Sequence, residues 1–441
     1  MGSEVVIFYQ HYEDEEDSTL KYPTILSDNK MAASKGAGML RKCFAKLCKS
    51  RHLELFQGSY TGKLSRDLSS IAPEAEPAPP LSIFRTTESD PAKHNQMHLG
   101  MYYTVPPEEF AVVFPQIRPN LYAQQVETFN EACIMIREPA LEIIGYLSSA
   151  NYSLPATRYL IYGKKGSGKS ITLNHVVHYC ATQGWLTVHV PDAHLWVKNC
   201  RDMLPSTYRQ GRYDQPTQAV NWLRKFRISN EKFLKEMKTQ KAYTWTKSEF
   251  TEEGTFLLDV LEKVRPRSLL QGIARPRVAS DIVGMLFKEL KQYSLAKSVR
   301  MLVAVDGANS LWGRSVLKKE DKSLIMTEEL TLIWNLRKLI RSDWSNGAIV
   351  LESSQTGSVF RRALEYLPTP LLGQEGFDAV DPFVPINVRN YSEKEFESCY
   401  MYYLERKWLQ HEHVKTEAGK QELKFLCNKN PATMEKLSAF L

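Results

Sequence analysis

Three features of the sequence predict an α/β fold built on a parallel, doubly wound sheet. In the first, "RYLIYGKKGSGKSITLNHVVHYCA", a short apolar strand at Arg158–Tyr162 enters a turn rich in glycine and lysine, and residues of helical spacing follow. The second is "MLVAVDG" at 301–307, five apolar residues running into Asp306. The third is a series of other short apolar runs, Leu186–Val190, Ala348–Glu352 and "PFVPINV" at 382–388, separated by helical patterns. Strands that alternate with helices form a parallel sheet, and its ligand lies at the strands' C-terminal ends.

The chain has 441 residues, enough for two or three domains and a sizeable core. It lacks any run of 18 apolar residues, so no membrane-spanning helix is expected. A net charge of +7 favours an anionic partner. Seven cysteines without CxxC spacing argue against a disulfide framework or a zinc site and fit a reducing compartment.

Residues 1–30 form an acidic extension with "EDEED" at 13–17. Residues 31–66 are expected to be a mitochondrial transit peptide. From 31 to 53 there are six Lys or Arg and no acid, and Leu40, Cys43, Phe44, Leu47 and Cys48 follow helical spacing opposite Lys42, Lys46 and Lys49. A basic surface helix or a nucleic-acid arm is the competing reading. Because acids oppose import, Met31 is expected to be the functional start. Residues 67–119 read as an extended arm and linker, with "APEAEPAPP" at 72–80 unable to form regular structure. Helices are expected around 120–135 and 138–149, opening a domain that runs to 390.

Within that domain, Gly163-Lys164-Lys165-Gly166-Ser167-Gly168-Lys169-Ser170 matches GxxxxGK[ST], the P-loop. Glycines let the backbone curl its N–H groups toward phosphate oxygens, and the following helix adds its positive end. Lys169 would neutralise the β/γ-phosphates, and the Ser170 hydroxyl would ligate Mg²⁺. Gly163, Gly166, Ser167, Gly168, Lys169, Ser170 and Ile171 are the candidate nucleotide-binding residues. Ser170 and Asp306, a Walker B-like aspartate, are the candidate metal ligands. Ser353, Ser354 and Gln355 follow the Ala348–Glu352 strand, where a sensor residue or an ordinary turn would stand. The glutamate that orients the attacking water in active AAA+ enzymes is replaced by Gly307, with Glu352 and Asn309 as possible substitutes. Arg361 and Arg362 are candidates for an arginine finger or for surface contacts. Slow hydrolysis or none is expected. No NKxD occurs, since "NKNP" at 428–431 has Pro in place of Asp, so motif chemistry leaves ATP and GTP open.

Between the second and third strands lies a basic insertion, 194–300, with 21 Lys+Arg and 11 Asp+Glu. Interleaved aromatics include Tyr208, Tyr213, Trp222, Phe226, Phe233, Tyr243 and Trp245. Salt-dependent contact with RNA phosphates fits this composition, as does a solvated helical face with its aromatics inside. His175 and His178 read as packed or hydrogen-bonded rather than metal-bound. Residues 391–441 read as a C-terminal helical lid, opened by a Ser392–Glu395 capping pair.

The motifs "DPAKH" (90–94), "GKKGSGKS" (163–170), "PDAHLWVKNCRD" (191–202), "LVAVDG" (302–307), "SQTGS" (354–358) and "NYSEKEFESC" (390–399) together resemble the death-associated protein 3 family over roughly residues 85–441. The resemblance implies an AAA+-like P-loop NTPase domain in the small subunit of the mitochondrial ribosome. It implies bound GTP or GDP with Mg²⁺, contacts with small-subunit rRNA and other mitochondrial ribosomal proteins, and a position near bridges to the large subunit. An association with apoptosis is also implied, and no DNA partner is expected. The alternative is a signalling-type NTPase switch that oligomerises with nucleotide.

Overall fold

The computed structural model describes residues 83–115, 121–200, 202–245, 249–262, 278–355 and 365–439. The acidic extension, the expected transit peptide, the 72–80 linker, Arg361 and Arg362 lie outside the described residues.

Five strands form the central sheet. They are preceded by a small antiparallel pair, β1 (Tyr102–Thr104) and β2 (Cys133–Met135). In chain order the central strands are β3 (Thr157–Tyr162), β4 (Leu186–Val190), β5 (Met301–Val305), β6 (Gly347–Glu352) and β7 (Val384–Asn387). Across the sheet the order is β7-β3-β6-β5-β4, and every pairing is parallel. One strand thus separates the P-loop strand from the strand that carries Asp306, as in AAA+-like P-loop domains. All residues of β4, β5 and β6 are buried, which explains the unbroken apolar run of β5 and of β6 up to Glu352, while β4 also buries Thr187 and His189.

The pleat divides each strand between two cores. Leu160, Val303, Val305, Ile349 and Leu351 face one core, while Tyr159, Ile161, Leu302, Ala304 and Val350 face the other. The second core is covered by α1 (Pro107–Val113), α2 (Leu121–Phe129), α3 (Glu138–Ser149) and α4 (Lys169–Thr182). In α3, Ala140, Ile143, Ile144 and Leu147 are buried at the spacing of one helical face. The helix expected across 120–135 ends instead at Phe129. Asn130 takes the left-handed conformation, φ +50°, and residues 133–135 turn into β2 against the arm. The arm itself is not merely extended, because it contributes β1, α1 and the buried Tyr103, Val105, Phe110 and Phe114 to this core.

The basic insertion forms the layer over the first core. Its helices α5 (Pro216–Leu234) and α6 (Ala279–Leu295) pack with α7 (Thr331–Leu339). Trp222 and Phe226 are buried there, whereas Tyr208 is 75% exposed. The insertion also closes an open sheet edge. Trp222 Nε1 donates to His189 O at 3.0 Å, and the Asn230 amide accepts from Thr187 N and donates to Thr187 O at 2.9 and 3.0 Å. Asn230 interrupts the helix with φ −123° to do so. Edge strand β4 therefore meets side-chain partners instead of water.

After α8 (Pro368–Val380) and β7, the C-terminal residues form α9 (Glu393–Glu405), α10 (Glu417–Cys427) and α11 (Pro431–Ser438). Ser392 and Glu395 make the expected capping box. Phe396, Tyr402, Tyr403, Leu423 and Met434 build a third core with Tyr102 and Met135 from the small β1–β2 sheet. Cys133, Cys180, Cys200, Cys399 and Cys427 are free and buried. Among the described residues no helix is long and apolar enough to cross a membrane.

Gly347 opens β6 where a Cβ would lie 2.1 Å from Met301 O and 2.6 Å from the Trp344 ring. The oxygen belongs to the neighbouring strand and cannot yield without opening the ladder. Gly347→Ala is expected to cost about 3 kcal/mol in urea unfolding. Gly145→Ala, on α3 with nothing within 4 Å, should raise stability by about 0.5–1 kcal/mol in the same assay.

Candidate nucleotide-binding site

The loop from β3 to α4 is curled by three glycines with positive φ, Gly163 (+149°), Gly166 (+78°) and Gly168 (+96°). Each is also held by close neighbours. A Cβ on Gly163 would lie 2.3 Å from Val388 O, one on Gly166 would meet Asn430 Oδ1 and Ala432 Cβ at 2.7 Å, and one on Gly168 would stand 3.1 Å from Arg137 Nη1. Side chains at these positions would collide with the elements that position the loop. Gly168 is the N-cap of α4, so the helix's free N–H groups open toward the loop. Ile171, one turn into α4, packs against the second core.

Lys169 is buried, and its Nζ donates to Gly163 O and Lys164 O at 3.2 Å while standing 3.5 Å from Glu352 Oε1. Glu352, itself buried at the end of β6, accepts from Gly307 N at 3.1 Å. The Ser170 hydroxyl lies beside the Asp306 carboxyl, which in turn stands beside Glu352. Desolvation, then the Glu352 charge, pushes Asp306 well above the usual carboxylate range. Asp192 is raised too, by burial and in part by Glu352. The sheet thus brings Lys169, Ser170, Asp306 and Glu352 together from the ends of three adjacent strands.

The donor set fits a divalent cation and polyphosphate. Hard oxygen ligands, a hydroxyl and a carboxyl, adjoin one another where extra positive charge would relieve the carboxyl crowding. Ser167 Oγ is fully buried and has no hydrogen-bond partner.

Two residues that sequence reasoning missed hold the loop in place. Arg137, at the start of α3, donates from Nη1 to Ser167 O at 2.6 Å, from Nη2 to Arg389 O at 2.9 Å and from Nε to Glu395 Oε1 at 2.8 Å. Its guanidinium also lies 5.0 Å from the Tyr391 ring centroid. Asn430 Nδ2 donates to Lys165 O at 3.0 Å, and Ala432 N donates to Gly166 O at 3.1 Å. No pattern at 137 or 430 announces these roles, because each depends on contacts 30 to 265 positions away.

A sequence profile described as "Mitochondrial ribosomal death-associated protein 3" matches residues 134–437. The chain belongs to that family. It is 54% identical over 360 residues to the bovine "Small ribosomal subunit protein mS29", covering 82% of this chain and 89% of the relative. The mouse protein of that name is 52% identical over 362 residues, covering 82% and 90%. The Neurospora crassa protein of that name is 24% identical over 111 residues, covering 25% and 24%. Among solved structures, a Walker-type ATPase of Pyrococcus abyssi aligns with 68% of this chain and 65% of its own, at 13% identity and a TM-score of 0.34.

Other polar groups around the site are already engaged. The Asn309 amide donates to Ser354 O at 3.1 Å and accepts from Ser354 N at 3.0 Å, so it braces the segment after β6. Gln355 donates to Glu365 O. Gly307 has φ +72°, and a Cβ there would meet His194 Nε2 at 2.5 Å. Position 307 is therefore closed to a side chain by backbone conformation and by a buried imidazole. Gly307→Glu is expected to lower the melting temperature by several degrees and leave NTP turnover no higher than that of the unmodified chain, read by thermal melting and phosphate release.

His175 and His178, on α4, are packed and hydrogen-bonded. His94 Nδ1 and His175 Nε2 are 3.0 Å apart, His178 Nδ1 is 3.0 Å from Tyr103 Oη, and His178 Nε2 is 3.1 Å from Glu109 Oε2. These contacts fasten the N-terminal arm to the P-loop helix. Burial is the main cause that lowers the pKa of all three imidazoles, against smaller opposing effects of Glu88 on His94 and of Glu109 and Asp90 on His178. The unfolded chain consequently binds more protons below about pH 6.5, and stability falls as pH drops through that value. His175→Leu should reduce the loss between pH 7 and 5.5 by up to about 1.4 kcal/mol per pH unit, whatever it does to absolute stability. Urea midpoints across this range measure the slope, and parallel slopes would assign the acid sensitivity elsewhere.

Proposed function

We propose that the chain is a structural component of the mitochondrial small ribosomal subunit, in the matrix, that retains a guanine nucleotide with Mg²⁺. The observation that carries the nucleotide reading is the clamp itself: a glycine-curled loop, Lys169, and the Ser170–Asp306 pair, brought together from the start of α4 and the end of β5. Family membership and the names of the bovine and mouse relatives support the ribosomal role. Contacts with small-subunit rRNA, neighbouring ribosomal proteins and the large subunit, and the association with apoptosis, extend the family resemblance. The preference for guanine over adenine also rests on it.

In this reading, backbone N–H groups around Gly166–Ser170 bind phosphate oxygens and Lys169 neutralises them. Ser170 and Asp306 hold the cation. Mg²⁺, when bound, screens the phosphate charge and satisfies the crowded carboxyls. Lys169 turns from Glu352 and the loop carbonyls to the phosphates. Nothing at position 307 orients water for attack, so the site favours holding over cleaving. Because Asn430 and Ala432 lie on the loop, a filled loop also steadies the lid.

A ligand present at 100 times its Kd adds about 2.7 kcal/mol to stability. Mass spectrometry of nucleotide released from the purified chain should find GDP or GTP, and adenine nucleotide would refute the guanine assignment. Lys169→Ala should lose that nucleotide, melt several degrees lower and co-sediment less with the small subunit on sucrose gradients. Unchanged melting and sedimentation would remove the structural role. A free pool whose assembly state follows added nucleotide would support the switch alternative.

A further inference from the structure

The charge of the insertion is unevenly placed. Residues 204–214 form a short hairpin whose Leu204–Pro205 and Tyr213–Asp214 segments pair. It is pinned to α7 by a bridge from Tyr213 to Leu330 and by the Thr331 hydroxyl, which donates to Asp214 Oδ1 at 2.6 Å. The pinning sets Arg212 over the Trp334 ring, 3.9 Å from its centroid, with Lys338 Nζ 5.0 Å from the same ring. Arg209, Arg212, Lys288 and Arg341 all lie close enough to Lys338 to disfavour its proton, after burial. Arg212 and Lys338 thus flank one indole, and Arg209, Lys288 and Arg341 lie within electrostatic reach of Lys338, so that cations from the hairpin, α6, α7 and the turn after α7 share one surface.

Like charges held this close repel unless an anion joins them. Among the described residues no carboxylate forms an ion pair with any of the five, although Asp214 lies near Arg212 and Asp281 near Lys288. Their neighbours are treated differently. Arg337, one residue before Lys338, is paired with Glu375 and Glu328, and Lys291, one helical turn after Lys288, is paired with Asp343 at 2.5 Å. Arg209, Lys288, Lys338 and Arg341 are exposed. Beside Arg209, Tyr208 is 75% exposed. An exposed ring next to concentrated positive charge suits an unstacked base flanked by phosphates.

We infer that this surface, Arg209, Arg212, Lys288, Lys338 and Arg341 with Tyr208 at its rim, is a docking site for the phosphodiester backbone of RNA. The inference rests on the proposed rRNA contact and names the residues that make it. An intramolecular role as a solvated face would not call for cations from the hairpin, α6, α7 and the turn after α7 to share one surface without ion-pair partners. RNA meets the patch with regularly spaced negative charge, and counterion release supplies the affinity.

The test uses the full chain and an in vitro transcript of mitochondrial small-subunit rRNA, with Kd measured between 50 and 300 mM KCl. The variant Lys288→Gln/Lys338→Gln/Arg341→Gln should bind about tenfold more weakly and lower the slope of log K against log salt by about two. Its melting temperature should be unchanged or higher, because repulsion is removed. Tyr208→Ala should weaken binding about fivefold or more with the slope unchanged, since stacking carries no charge. Lys297→Gln/Lys407→Gln/Lys436→Gln, an equal charge loss elsewhere, should bind like the unmodified chain. If the patch variant binds like this control, the inference is overturned while the rRNA reading stands. If the unmodified chain shows no salt-dependent binding to the transcript, the rRNA reading falls and the inference with it. If the patch variant loses affinity only for polyglutamate and not for the transcript, the surface belongs to an acidic protein and the inference is overturned.

Discussion

The fold around the site depends on the close approach of other elements to the P-loop backbone. Gly163 lies against Val388 O, Gly166 against Asn430 and Ala432, and Gly168 against Arg137. The guanidinium of Arg137 then draws three partners together, the loop carbonyl of Ser167, the strand-end carbonyl of Arg389 and the lid carboxylate of Glu395. A buried cation is costly unless its donors are satisfied, and here Nη1, Nη2 and Nε each have an oxygen partner. Loop, sheet edge and lid are therefore ordered as one unit. Loosening any one of them would leave a buried charge short of a partner, at a cost of several kcal/mol.

The same closeness bears on the proposed retention of nucleotide. In the sheet, Asp306 and Glu352 stand at the ends of adjacent strands β5 and β6, one beside Ser170 and the other facing Lys169. Glu352 occupies the ammonium group that phosphates would claim, and Gly307 is hemmed in by His194. Asn309 is committed in both directions to the Ser354 backbone. Each group that might have steered a water is instead spent on holding a strand end or a loop. Rapid hydrolysis needs a free, oriented base, and rigid retention needs its absence.

Much of this was legible in the sequence, for a physical reason. Parallel strands buried on both faces are rich in apolar residues, so β5 and β6 stood out, and the P-loop spacing follows from what a phosphate-facing turn requires. The capping box at Ser392 was legible because it is local. The end of the helix at Phe129 was not, since Asn130 in the left-handed region competes only weakly, as a sequence signal, with an apolar pattern continuing to Met135. Arg137 and Asn430 were invisible for a different reason. Their partners are brought near by the fold alone, and no spacing along the chain encodes that distance.

The insertion shows how a charge count can mislead about structure while still informing about function. Its aromatic face, through Trp222 and Phe226, fills the core over the sheet, and Asn230 ends the β4 edge. A helix that must cover a sheet edge cannot also be an independent nucleic-acid arm. Arg209, Lys288, Lys338 and Arg341 are left exposed, on or beside the layer of α5, α6 and α7. Placement on such a layer is unnecessary for solubility, which scattered charge would provide equally well. It is what a polyanion with regularly spaced phosphates requires, because cations already held in place lose little conformational entropy when they meet it. The layer that seals the sheet is thus also the scaffold on which a fixed array of positive charge can be built.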